Sequence, residues 1–211
     1  MDLSGLRREY KGEPLVPGKM PEHPIDFFDY WFSQAIKSQI TEPNAMTLAT
    51  ATRDGKPGAR TVLLKYFDYD GFVFYTNYNS RKAKEIAENP NVALLFFWKE
   101  LERQVRIEGI AEKVPLKKSV EYFMKRPKRS QIAAWISPQS SEIESKKQLL
   151  KKFEEALILF KNKQVPLPKN WGGYIIKPNK IEFWQGQPSR LHDRVLYVKN
   201  NGKWSKKLLA P

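Results

Sequence analysis

Positions 183–194 read Phe-Trp-Gln-Gly-Gln-Pro-Ser-Arg-Leu-His-Asp-Arg. The run sets a flat aromatic (Trp184), an amide (Gln185), two guanidiniums (Arg190 and Arg194), an imidazole (His192) and a carboxylate (Asp193) beside the turn formers Gly186 and Pro188. Donors, acceptors and an aromatic face next to a sharp turn suit a planar, anionic ligand. A second constellation, Tyr75-Thr76-Asn77-Tyr78-Asn79-Ser80-Arg81-Lys82, reads as a strand end, a polar loop and a helix start. Free N–H groups at a helix N-terminus attract anions, and Ser80, Arg81 and Lys82 add a hydroxyl and positive charge, so a phosphate fits. The plainer reading makes Ser80 only an N-cap. Two cations in a first helical turn oppose the helix dipole, which favours the phosphate.

Tyr122, Arg126 and Ser130 recur every fourth residue and would present a phenol, a guanidinium and a hydroxyl to a second phosphate, although Pro127 interrupts that helix. Arg60-Thr61-Val62-Leu63-Leu64-Lys65 places a cation at each end of an apolar run; residues five apart on a strand face opposite sides. Taken alone, Arg60 and Lys65 read as strand-end cations in water. Gln104, centred on a strand, and Gln139-Ser140, before a long helix, are weaker signals, the latter pair reading most simply as a loop and cap. With no cysteine and His23 and His192 as the only histidines, a metal cluster is not expected, and disulfides and cysteine nucleophiles are excluded. No Gly-rich nucleotide fingerprint occurs.

The elements that must position these residues follow from periodicity. Four prolines punctuate residues 1–24, which read as an extended, partly mobile arm ahead of one domain over 25–211. Phe28, Trp31, Phe32, Ala35 and Ile36 form the apolar stripe of a helix from 26 to about 38–40. Strands are expected at 45–52, 59–66 and 72–76 in a meander turned by Asp54-Gly55 and Asp70-Gly71, then at 92–98 and 101–114 with Gly109 as a bulge. Helices are expected at 81–88, 116–125, 130–136 and 142–161, and strands again at 174–177, 180–184, 195–199 and 204–209. Tight antiparallel turns outnumber crossovers, so the fold class is mainly β with packed helices, an antiparallel barrel closed or nearly so.

The whole chain of 211 residues carries a net charge of +14, which admits phosphorylated or polyanionic partners. The bland reading is a strongly solvated basic surface, and a non-enzymatic nucleic-acid binder is a rival weakened because the basic residues are spread along the chain instead of forming one stripe. No apolar run approaches the roughly 20 residues that cross a bilayer, and a cytoplasmic location is expected.

Together, Arg60-Thr-Val-Leu-Leu-Lys65, Phe74-Tyr-Thr-Asn77 with Ser80-Arg-Lys82, Glu102-Arg-Gln-Val105, Ser130-Gln-Ile132 with Gln139-Ser140, Trp171-Gly-Gly173, and Glu182-Phe-Trp-Gln-Gly186 with Arg190-Leu-His-Asp-Arg194 resemble the pyridoxamine (pyridoxine) 5′-phosphate oxidase family. The resemblance runs from about Arg7 to the C-terminus. It implies a homodimeric FMN split barrel with the flavin at the subunit interface, oxidising pyridoxine or pyridoxamine phosphate to pyridoxal phosphate with oxygen. By the same resemblance Arg60, Thr61, Val62, Leu63, Leu64, Lys65, Tyr75, Thr76, Arg81, Lys82, Gln139 and Ser140 would hold FMN, and Gln104, Trp184 and Arg194 its ring region. Lys65, Tyr122, Arg126 and Ser130 match the substrate-phosphate site, Arg190 and His192 the catalytic positions beside the pyridine ring, and Arg7 and Tyr10 a segment that closes over substrate. A flavin reductase of the same fold is the nearer rival; it need not carry the substrate-phosphate residues together. The family pattern ends Arg-Leu-x-Pro, whereas Leu208 stands at the arginine position here, so an ion pair at the terminus is expected to be missing.

Overall fold

Alternating burial marks the strands in this computed structural model, which describes residues 1–6 and 8–211. β1 (Ala45–Ala51) and β5 (Asn91–Trp98) turn alternate residues inward. β2 (Pro57–Leu63) returns from β1 across Asp54-Gly55, where Gly55 supplies a φ of 84°. β8 (Asp193–Asn200) and β9 (Lys203–Leu209) are joined by Asn201 and Gly202 at φ 48° and 80°, the paired left-handed residues that a two-residue hairpin needs.

The expected meander does not form. β4 (Gly71–Asn77) pairs with β3 (Tyr66–Asp68) and with β7 (Trp171–Gln185), while β2 pairs with β1. The strand expected at 59–66 stops at Leu63 because Leu64 turns into the core. With β6 (Arg103–Lys113), the main order is β2-β1-β5-β6-β7-β4-β3. Its two ends are joined by Leu64 and Lys65 alone, and the Lys65 N–H donates to the Val73 carbonyl at 2.8 Å. The sheet therefore curls until its edges meet, which removes most exposed edge.

β7 is one strand where two were expected. Its first half pairs with β4, its second half with β8, and β6 runs along its other side. The barrel splits where β4 gives way to β8. The register of β6 on β7 shifts between Glu108 and Gly109, so the extra residue is Asn179 opposite the expected bulge, next to Pro178, which has no N–H to offer a ladder.

Helix α1 (Pro24–Lys37) plugs the barrel with Phe27, Phe28, Trp31 and Ala35, all buried. Its N-cap is His23, whose Nδ1 accepts from the Ile25 N–H at 3.2 Å, and Pro24 at the first helical position loses no bond. The Phe28 ring meets Phe67, Phe72 and Phe96 edge-on at 4.9 to 5.1 Å. α2 (Arg81–Glu88) follows β4. A second cluster, built on Phe123, Ile132, Ala156, Phe160 and Trp171, packs α3 (Leu116–Lys125), α4 (Lys128–Ile136) and α5 (Lys146–Leu159) onto the start of β7. The long helix is shorter than its amphipathic run because the Ser145 hydroxyl caps it, accepting from the Gln148 N–H at 3.1 Å. No helix among the described residues is long and apolar enough to cross a membrane.

Candidate active site

A cavity of about 770 Å³ opens between β2, β4 and the α3–α4 corner. Arg60, Lys65, Thr76, Lys82 and Gln139 line it together with Tyr122, Arg126 and Ser130, as do Thr61, Val62, Leu63 and Tyr75. The two groups of phosphate-type residues, far apart in sequence, thus share one space.

The break at Pro127 sets the second group. α3 ends at Lys125, and the buried Gln131 amide donates to the carbonyls of Phe123, Met124 and Arg126 at 3.1, 3.3 and 3.0 Å, closing the helix end that proline leaves open. Arg126 is held there with its guanidinium 5.0 Å from the Trp171 ring centre, and Trp171, Tyr75 and Tyr122 lie nearly parallel. Arg126 NH1 is buried without a hydrogen-bond partner.

Positive charge crowds the cavity. None of Lys65, Lys82 and Arg126 forms an ion pair among the described residues. Burial first, then the neighbouring Arg126, pushes the Lys65 ammonium below the usual lysine range; burial, then Arg60, does the same to Lys82. Lys82 Nζ donates only to neutral oxygens, those of Gln139 at 3.1 Å, Thr76 at 3.3 Å and Ser80 at 3.4 Å. A bound dianion would satisfy the orphaned Arg126 donor and relieve this repulsion, so the donor set fits phosphate esters at both clusters.

Arg60 and Arg81 converge on one buried carboxylate, Glu85, at 2.8 and 2.7 Å. Burial alone would raise that carboxyl, but hydrogen bonds from Thr50, Arg81 and Arg60 outweigh it and bring it down to about 2. Arg60 NH1 turns to Thr50 and to the Leu48 and Gly58 carbonyls. Arg60 thus remains in the wall, while Arg81 is not among the lining residues. Ser80 stands at the N-cap of α2, yet its side chain makes no capping bond and instead receives Lys82.

The remaining expected residues lie elsewhere on the protomer. Gln104, Trp184 and Arg194 line a separate cavity of about 340 Å³ that shares no lining residue with the first. Arg194 is anchored there, its Nε and NH2 both 2.8 Å from Glu182 and its NH1 donating to the Ala210 carbonyl at 2.8 Å. Exposed Leu208 makes no such bond, and the β8–β9 ladder with Arg194 holds the terminus instead. His192 Nδ1 accepts from the Gln187 N–H at 3.1 Å, and its ring sits 4.7 Å from Trp184 and 5.5 Å from Tyr10. Ser189 and Arg190 both adopt left-handed conformations, φ 54° and 61°, in the short turn before it.

Leu64 points into the core, and exposed Ser140, left-handed at φ 67°, lies outside the lining set. Arg7 lies outside the described residues. Sequence reasoning passed over Glu85, whose only signal is its i,i+4 spacing from Arg81, and gave no role to Glu102, which entered only as part of the Glu102–Val105 motif. Among the described residues no group of three acidic, His or Cys side chains could hold a metal.

A family model described as pyridoxamine 5′-phosphate oxidase matches residues 32–160. A second, described as the pyridoxine 5′-phosphate oxidase C-terminal dimerisation region, matches residues 171–211. The chain is 54% identical over 211 residues to a pyridoxine/pyridoxamine 5′-phosphate oxidase of Vesicomyosocius okutanii subsp. Calyptogena okutanii, with 100% of this chain and 99% of the relative covered. It is 52% identical over 214 residues to the enzyme of that name from Crocosphaera subtropica, with 100% of both covered. Among solved structures, PhzG from Burkholderia lata superposes with a TM-score of 0.90 at 29% identity, covering 95% of this chain and 99% of that one.

Proposed function

The chain belongs to the pyridoxamine 5′-phosphate oxidase family, and on that premise we propose which of its residues carry the reaction. The reaction is FMN-dependent oxidation of pyridoxine and/or pyridoxamine 5′-phosphate to pyridoxal 5′-phosphate with oxygen as acceptor, giving hydrogen peroxide and, from the amine with water, ammonia. The enzyme works as a homodimer. A cytoplasmic location, in keeping with a cysteine-free chain, is part of the proposal.

The observation that carries the residue assignment is the shared cavity, where Lys65, Lys82 and Arg126 form no ion pair among the described residues. Thr76, Lys82 and Gln139, with Arg60 behind them, would hold the FMN phosphate and ribityl chain. Lys65 and Arg126, with the Tyr122 and Ser130 hydroxyls, would hold the substrate phosphate. Gln104, Trp184 and Arg194 would meet the flavin ring from the partner subunit, since one protomer places them in a different cavity.

When bound, FMN supplies the two-electron acceptor for the hydride equivalent leaving the substrate's C4′ carbon. The chain's own contribution is orientation: a dianion gripped at Arg126 and Lys65 fixes where C4′ lies. His192 has its Nδ1 occupied as an acceptor, so the neutral ring carries its proton on Nε2 and offers that N–H to the substrate. Arg190 would stabilise charge on the substrate, and its left-handed backbone supports a position held for function.

Two variants test these roles. Arg126→Ala should raise KM for pyridoxine phosphate on the order of tenfold to a hundredfold, the loss of a charge-assisted pair, with FMN content retained. Arg190→Met should lower kcat with FMN bound. Unchanged turnover of pyridoxine phosphate by FMN-loaded Arg190→Met would remove Arg190 from the mechanism.

A further inference from the structure

Glu102 sits at the end of a short turn, Lys99–Leu101, with its side chain 7% exposed and its backbone in the left-handed region at φ 55°. A glutamate pays for that conformation relative to glycine, and it is buried as well. Both carboxylate oxygens are used on the N-terminal arm. Oε1 accepts from the Arg8 guanidinium at 2.7 Å and Oε2 from the Lys11 N–H at 2.7 Å. These two contacts bracket Tyr10. The Glu102 carbonyl meanwhile accepts from the Gly186 N–H at 2.8 Å and from the Gln185 amide at 3.3 Å, so one residue ties the arm to the strand end that carries Trp184.

The packing around the bracket leaves the arm little freedom. A Cβ on Gly12 would lie 2.1 Å from the Gln185 side-chain nitrogen and 2.5 Å from the Gly186 carbonyl oxygen. A Cβ on Gly186 would lie 2.8 Å from the Tyr10 ring. The Tyr10 ring stands edge-on to Trp184 at 5.6 Å and to His192 at 5.5 Å. Farther along, the Leu15 N–H donates to Asp193 at 2.9 Å.

We propose that Glu102 is a positioning residue for the oxidase: its carboxylate clamps the arm on both sides of Tyr10 and so sets the wall that Tyr10, Trp184 and His192 present to the active site. The proposal rests on the assignment of Trp184 and His192 to the active site. Glu102 acts through Tyr10 and touches neither substrate nor FMN.

The test uses the FMN-loaded dimer of the full chain. Glu102→Gln and Arg8→Ala should each raise KM for pyridoxine phosphate by about tenfold, the scale of one charge-assisted hydrogen bond, while kcat and FMN content hold. The double variant should be no worse than Glu102→Gln alone, because that change already removes the charge that Arg8 pairs with. Tryptic cleavage after Lys11 should quicken in both. Arg8 is an exposed arm residue whose loss leaves the barrel intact, so the proposal stays testable even where Glu102→Gln folds poorly. An unchanged KM in Arg8→Ala, or additive effects in the double variant, would overturn the clamp. A parent protein that binds FMN but does not turn over pyridoxine phosphate would instead overturn the assigned function, and the cleavage rates would still report on the clamp.

Discussion

At the residue scale, the informative side chains are those whose charge has nowhere to go. Lys65, Lys82 and Arg126 are each pushed below their usual range chiefly by burial, with Arg126 adding to the effect at Lys65 and Arg60 at Lys82, and an anion from outside would resolve that conflict. Glu85 is the opposite case, an over-satisfied carboxylate gripped by Arg60, Arg81 and Thr50. Its folded value of about 2 lies below the ordinary 4.5, so its stabilisation is present above about pH 4.5 and is lost as pH falls toward 2. The size of that shift corresponds to on the order of 3 kcal/mol. In urea titrations, Glu85→Gln should be less stable than the parent at neutral pH, and the gap should close in acid. An equal gap at both pH values would show that the carboxylate's charge is not what matters. Arg60 and Arg81 were legible as basic residues near a phosphate, but their shared anchor was not, because a buried Glu on a helix looks in sequence like any solvated one.

At the element scale, the α3–α4 corner decides whether Tyr122, Arg126 and Ser130 can act together. A spacing of four promises one helical face, yet Pro127 forbids a continuous helix. The Gln131 amide resolves this by capping the carbonyls that the break exposes. Gln131→Leu should leave those carbonyls unpaired and loosen Arg126. The expected result is a raised KM for the phosphorylated substrate and a loss of about 1–3 kcal/mol in thermal or urea unfolding. A variant matching the parent in both measurements would contradict this account. The expected helix at residues 116–125 matches the observed bounds, since local propensity and the following proline agree. The meander failed for the complementary reason: hairpin signals identify turns, but not which third strand takes the open edge. Here β4 leaves β2 for β7, more than ninety positions away in the chain.

At the scale of the whole molecule, one protomer does not gather the proposed residues into a single site. The phosphate-holding group and the group of Gln104, Trp184 and Arg194 line cavities with no residue in common. If a twofold dimer joins one protomer's first cavity to its partner's second, complementation follows. Mixing inactive Lys82→Ala and Trp184→Ala protomers should form heterodimers with one intact site, restoring about a quarter of parental activity in an equal mixture. No recovery after verified subunit exchange would mean that both groups serve the same protomer's site.

By itself the sequence determined the family, the antiparallel hairpins and the chemistry available, because residue types, turn residues and motif spacing are local properties that survive without knowledge of the fold. Only the tertiary structure decided which of those residues meet. The link of Leu64 and Lys65 between the two sheet ends closes the barrel and swings Lys65 toward Arg126. The burial of Glu85 and Glu102, and the partition of the expected flavin residues between two cavities, likewise depend on contacts between distant segments. Such contacts form where apolar faces and unpaired backbone groups find partners across the whole chain, a competition that no short stretch of sequence records.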